Sequence, residues 1–120
     1  MSIDEKFEKC VDCLRKDGYI IVDTHSRPNP RDQRLEIDIV AYDRASDALV
    51  FVLVRPHDKR DLITRMTNHY RYDALRGVRN AGASLIAREQ WKGKVRLDCM
   101  DIYGDGSIDH AKNCYPYSLP

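Results

Sequence analysis

Leu35-Glu36-Ile37-Asp38-Ile39-Val40-Ala41-Tyr42, then a polar stretch from Asp43 to Asp47, then Ala48-Leu49-Val50-Phe51-Val52-Leu53-Val54-Arg55: these residues decide the fold. The first run alternates, with Leu35, Ile37, Ile39 and Ala41 on one side and Glu36, Asp38, Val40 and Tyr42 on the other, which is the period of a strand. The second run is apolar until its last residue, as a central strand covered on both faces must be. The turn-like residues between them predict a hairpin. Residues two apart on a strand share a face, so Glu36 and Asp38 project together, and the hairpin can set them beside Leu53 and Arg55.

The segments on either side supply the cover this hairpin needs. Upstream, Ser2-Ile3-Asp4-Glu5 reads as a capping box. Ile3, Phe7, Cys10, Val11 and Leu14 then recur at helical spacing, and Gly18 closes the helix. Tyr19 to Val22 is a short β-rich run, and Thr24 to Gln33 reads as loop because Pro28 and Pro30 exclude regular structure. Downstream, Pro56 to Thr67 has no clear period. A helix is predicted from about His69 to Glu89, with Tyr70, Ala74, Val78, Ala81 and Leu85 on one face. Gly77 and Gly82 weaken it by up to about 1 kcal/mol each. Val95 to Tyr103 alternates as a strand, Gly104-Asp105-Gly106-Ser107 makes a turn, and Ile108 begins a last strand. The predicted order is α-β-β-β-α-β-β, an α/β fold with a mixed sheet flanked by helices.

A chain of 120 residues matches one domain, taken here as 1–120. Its 42% hydrophobic residues suffice for a core. No run approaches the roughly 18 consecutive apolar residues of a membrane helix. The opening Met-Ser-Ile-Asp-Glu-Lys has no basic region followed by an apolar run, so a cytoplasmic location without membrane partners is expected. Of the four cysteines, Cys10 and Cys13 have metal-ligand spacing, and Cys99 and Cys114 could complete a zinc set. The first pair lies within a helical pattern and Cys99 within a strand, so ordinary reduced thiols are the expectation. His25, His57, His69 and His110 show no ligand spacing and read as surface or hydrogen-bonding residues.

The net charge of +1 conceals local asymmetry. Arg55, Lys59, Arg60, Arg65, Arg71, Arg76 and Arg79 face only Asp58, Asp61 and Asp73 in the same stretch, and Arg27, Arg31 and Arg34 form a second basic cluster. Such clusters can contact phosphates, or simply form solvated surface.

The hairpin also resembles the YraN family of small bacterial proteins. That family reads Gly-Glu-Ile-Asp-Leu-Ile-Ala, a short turn, then Leu-Val-Phe-Val-Glu-Val-Lys, against Leu35 to Ala41 and Leu49 to Arg55 here. Leu14 to Ile20 resembles the family's helix end and following Gly-Tyr-x-Ile, Val95-Arg96-Leu97-Asp98 its Val-Arg-Phe-Asp strand, and Ile108 to Tyr115 its closing Ile-x-His-x-x-Asn-Ala-Phe. The resemblance implies a restriction-endonuclease-like fold. It further implies a nuclease core in which an Asp and a Glu on neighbouring strands share Mg²⁺ beside a Lys. Asp38 matches the Asp, but Leu53 stands for the Glu and Arg55 for the Lys. Phe7 stands where the family has an acidic residue early in the first helix, with Glu8 adjacent.

Leucine offers a cation no oxygen, and arginine can hold a phosphate but cannot act as a base. The expected function is therefore nucleic-acid binding, DNA first, with weak or absent cleavage. Asp38, Glu36 and Arg55 are the candidate catalytic residues, and Asp38 and Glu8 the candidate ligands for weakly held Mg²⁺. Arg27, Arg31, Arg34, Lys59, Arg60 and Arg71 are the candidate phosphate contacts. An active Mg²⁺-dependent endonuclease and a non-catalytic partner-binding module are the alternatives, and a homodimer is left open. Asp38 and Arg55 are expected to touch across the hairpin, as a salt bridge or within a weakened metal site.

Overall fold

A computed structural model describes residues 1–32, 34–59 and 71–115. Among these residues two helices and five strands follow in the predicted order: α1 (Ile3–Lys16), β1 (Tyr19–Ser26), β2 (Ile37–Asp43), β3 (Ala48–Pro56), α2 (Arg71–Glu89), β4 (Lys94–Ile102) and β5 (Ile108–Ala111). The capping box forms: Ser2 Oγ accepts from the Glu5 N–H at 3.1 Å, and Glu5 Oε1 accepts from the Ser2 N–H at 3.4 Å. At the other end of α1 the chain turns at Gly18, whose φ of 89° is a left-handed conformation that glycine adopts without penalty.

The sheet order is β1-β2-β3-β4-β5, antiparallel except for the parallel pair β3 and β4. The hairpin pairs Ile39 with Val52 and Asp43 with Ala48. Helix α1 covers one face, packing Cys10, Val11 and Leu14 against Ile39, Ala41, Val50, Val52 and Met100. The other face meets α2 through Val78, Ala81 and Leu85, which pack on Ile37, Val40, Phe51 and Leu97. Strand β3 is buried from both sides, as its apolar run predicted.

Three expectations are corrected. Strand β1 continues to Ser26, into the stretch predicted as loop. In α2 the buried stripe runs through Leu75, with Ala74 exposed, while Tyr70 lies outside the described residues. The alternation of β2 breaks: Leu35 and Ile37 pack on the α2 side, whereas Ile39 and Ala41 pack on the α1 side. The pairing of β1 with β2 slips between Ile21 and Asp23, so β1 carries one extra residue at Val22. Further along, opposite His25, strand β2 turns over, leaving Asp38 and Ile39 consecutively on the α1 face.

The pairing directions bring the end of β1, the start of β2 and the ends of β3 and β4 to one end of the sheet. The first turns of α1 reach the same end, where Lys6 Nζ donates to the His57 carbonyl at 3.0 Å. Among the described residues no helix is long and apolar enough to cross a membrane.

Candidate functional site

Asp38 sits at this end of the sheet, half-buried near the start of β2. The Val54 N–H donates to its Oδ2 at 2.8 Å, so a side chain supplies an acceptor to β3 where the recorded pairing of β2 with β3 has stopped. Burial pushes the Asp38 carboxyl above its usual range. The Val54 bond opposes that shift, the nearby Glu36 charge adds to it, and His25 opposes it.

Two other groups converge on Asp38. The register sets Thr24 against Ile39 and Ser26 against Ile37, so His25 lies opposite Asp38. His25 has a φ of 51°, uncommon for a residue with a side chain, and its ring stacks on Phe7 of α1 with centroids 4.5 Å apart. Glu36 Oε1 is 3.6 Å from His25 Nδ1 and 3.5 Å from Arg27 Nε. One donor atom from each of His25, Glu36 and Asp38 lies within 4.8 Å of the others.

Glu36 and Asp38 therefore come together as the strand spacing predicted, but Asp38 and Arg55 do not. Arg55 Nε is 3.9 Å from Asp101 Oδ1 on the neighbouring parallel strand. Leu53 packs with the α2-side cluster and Val54 with the α1-side cluster, so strand alternation sends Arg55 to the α2 side. Asp38 lies with His25, whose ring stacks on Phe7 of α1, on the opposite face. The turnover of β2 at Asp38 and Ile39 reverses the face that a regular hairpin would have given Asp38.

The same geometry tests the implied Mg²⁺ site. Leu53 brings no oxygen and faces away from Asp38. Glu8 is exposed on α1 and joins no group of potential ligands among the described residues. The shared β2–β3 carboxylate site implied by the resemblance does not fit these residues.

Arg27, Arg31 and Arg34 are exposed in the connection between β1 and β2, and Lys59 is exposed just beyond β3, all at the sheet end that carries Asp38. Arg34 Nε is held by Asp32 Oδ1 at 3.1 Å. Arg60 and the Arg71 side chain lie outside the described residues.

Sequence reasoning missed His25. Its role depends on a left-handed backbone and on strand register, neither of which is written in local spacing. The nearest sequence signal is its position two residues before Arg27, which was itself singled out. Reasoning of the same kind missed Lys6, which is buried and reaches both the His57 carbonyl and Asp58. Two other histidines serve as hydrogen-bonding residues, as expected: His57 Nε2 is 2.8 Å from Asp101 Oδ1, and His110 Nε2 is 2.8 Å from Asp98 Oδ2. Of the cysteines, Cys10 and Cys99 are buried. Burial is the main cause that pushes the Cys10 thiol up to about 12, so it stays protonated at neutral pH.

A second polar centre occupies the far end of the sheet. Arg96 donates to Asp98 through Nε at 2.8 Å and Nη2 at 3.0 Å, and to Asp43 through Nη1 at 3.0 Å. It also reaches the Tyr19 hydroxyl, while Asp98 accepts the Asn113 N–H at 3.0 Å. The residues that carried the resemblance beyond the hairpin thus include a buried structural network. No protein-family model matches the chain, and no curated protein matches its sequence.

Proposed function

We propose that this protein binds nucleic acid, DNA first, through an endonuclease-like scaffold that retains little or no Mg²⁺-dependent cleavage. One observation carries this reading: Arg27, Arg31, Arg34 and Lys59 gather at the sheet end that holds Asp38, while β3 offers Leu53 on the opposite face instead of a second carboxylate. Cations at one rim can track a phosphate backbone without a basic overall charge. Mg²⁺ binds Asp38 weakly, because a hard cation depends on several oxygens and on their negative charge.

Binding of this kind falls with salt, since each phosphate contact releases condensed counterions. Fluorescence anisotropy with duplex, branched and single-stranded DNA at two salt concentrations tests it. Arg31→Glu combined with Lys59→Glu is expected to weaken binding to all sequences alike and to flatten the log–log salt slope by roughly 1 per lost contact. Undetectable binding at low salt supports the partner-binding alternative. The active-nuclease alternative draws on Glu36 and Asp38 standing together, and Mg²⁺-dependent cutting abolished by Asp38→Asn decides in its favour.

A further inference from the structure

We propose that the corner formed by His25, Glu36 and Asp38 binds a first-row transition-metal ion, with one imidazole nitrogen and two carboxylates as its protein ligands, in preference to Mg²⁺. The spacing suits a small cation. Ligand atoms about 2.0–2.2 Å from a tetrahedral metal stand about 3.4 Å apart, and His25 Nδ1 is 3.6 Å from Glu36 Oε1. The third donor, from Asp38, falls within 4.8 Å of both. A cation can enter with side-chain adjustment alone.

The ligands are held from outside the corner. The Val54 N–H anchors Asp38 at 2.8 Å. Phe7 stacks on the His25 ring at an interplanar angle of 22°, fixing its orientation. Such supporting contacts orient a ligand set before the metal arrives. Phe7 stands where the family resemblance leads one to expect an acid, and its contribution here is to support a nitrogen ligand.

Charge points the same way. Two carboxylates meet and repel each other at a half-buried position. A divalent cation relieves that repulsion. Arg27, 3.5 Å from Glu36, supplies part of the compensation without a metal and is the group a cation must compete with. The choice of ion follows from the nitrogen: imidazole suits transition metals, whereas Mg²⁺ favours oxygen ligands and retains its waters. The exposed side of His25 leaves room for water or a phosphate oxygen to complete the coordination.

The site concerns the protein's own donors and is tested without nucleic acid, so its failure is separate from failure of the binding reading. The metal-stripped protein is titrated with Mn²⁺ while the electron paramagnetic resonance signal of the free ion is followed, with Mg²⁺ as competitor. One Mn²⁺ per chain is expected, held about tenfold or more tighter than Mg²⁺. His25→Asn tests the nitrogen without disturbing the backbone, because Asn tolerates left-handed φ. It is expected to abolish the preference for Mn²⁺, weakening Mn²⁺ about tenfold or more, while the metal-free variant still unfolds cooperatively. Glu36→Gln is expected to weaken both ions. No Mn²⁺ uptake at millimolar metal, or uptake that His25→Asn leaves intact, overturns the proposal.

Discussion

The Val54 N–H donates its hydrogen bond to the Asp38 carboxylate, yet burial and the neighbouring Glu36 charge raise that carboxyl's pKa. A carboxyl whose pKa is higher in the fold than in the unfolded chain favours folding while protonated. That contribution fades as pH rises through the folded pKa, so at neutral pH ionised Asp38 is a cost to stability. Asp38→Asn keeps a carbonyl oxygen for Val54 and removes the charge. Its unfolding midpoint is expected above that of the natural protein at pH 7, by a margin that shrinks as pH falls. Asp38→Ala leaves the Val54 N–H without this acceptor and is expected to lose about 1–3 kcal/mol. Thermal unfolding of the three proteins checks this. A lower midpoint for Asp38→Asn at pH 7 contradicts it and makes the charge itself stabilising.

Helix α2 carries two glycines that composition alone treats alike, and the packing separates them. A Cβ at Gly82 would stand 2.4 Å from Cε2 of Phe51, which is fully buried between the helix and the sheet. A Cβ at Gly77 meets nothing within 4 Å. Alanine gains up to about 1 kcal/mol over glycine in a helix, whereas overpacking a filled core costs about 1–3 kcal/mol. Gly77→Ala is therefore expected to stabilise the protein and Gly82→Ala to destabilise it, a difference of sign that urea unfolding resolves. The sequence carried the helix itself, in the spacing of Val78, Ala81 and Leu85, and the hairpin, in the period of β2 and the unbroken apolar run of β3. It did not carry the reason for Gly82, because closeness to Phe51 arises only when helix and sheet meet. The reversal at Asp38 and Ile39 was hidden for a similar reason. It lies opposite His25, whose left-handed backbone and register are set only in the folded sheet. Glu36 and Asp38 could be read together because they share one strand. His25 could not be joined to them without the register, and the expected Asp38–Arg55 contact failed at that same point.

Across the whole molecule the polar groups divide between two ends of the sheet with opposite characters. The end holding His25, Glu36 and Asp38 is partly open, while the far end is a closed network in which Arg96 links Asp43 beside the hairpin turn to Asp98 on β4. Tyr19 on β1 and His110 on β5 join the same network, so it ties together strands distant in sequence. Burial pushes the Asp98 carboxyl up, but hydrogen bonds from His110, Arg96 and the Asn113 N–H outweigh it and hold it below the usual range. Asp43 is held low in the same way, by Ser46, Arg96 and the Ala45 N–H against its own burial. A carboxyl with a lowered pKa in the fold contributes stability above its unfolded pKa, near 3.9 for Asp, and loses it as pH falls through the folded value. The natural protein should therefore lose stability on acidification below about pH 4. Arg96→Met keeps most of the volume but leaves buried Asp98 and Asp43 without their shared cation, a loss on the order of 3–5 kcal/mol at neutral pH. The deficit is expected to narrow as pH falls through the carboxylate range, because protonated carboxyls no longer need the guanidinium. Urea unfolding of both proteins between pH 7 and pH 3 measures this. A deficit that stays constant with pH would mean that Arg96 acts through packing of its stem rather than through charge.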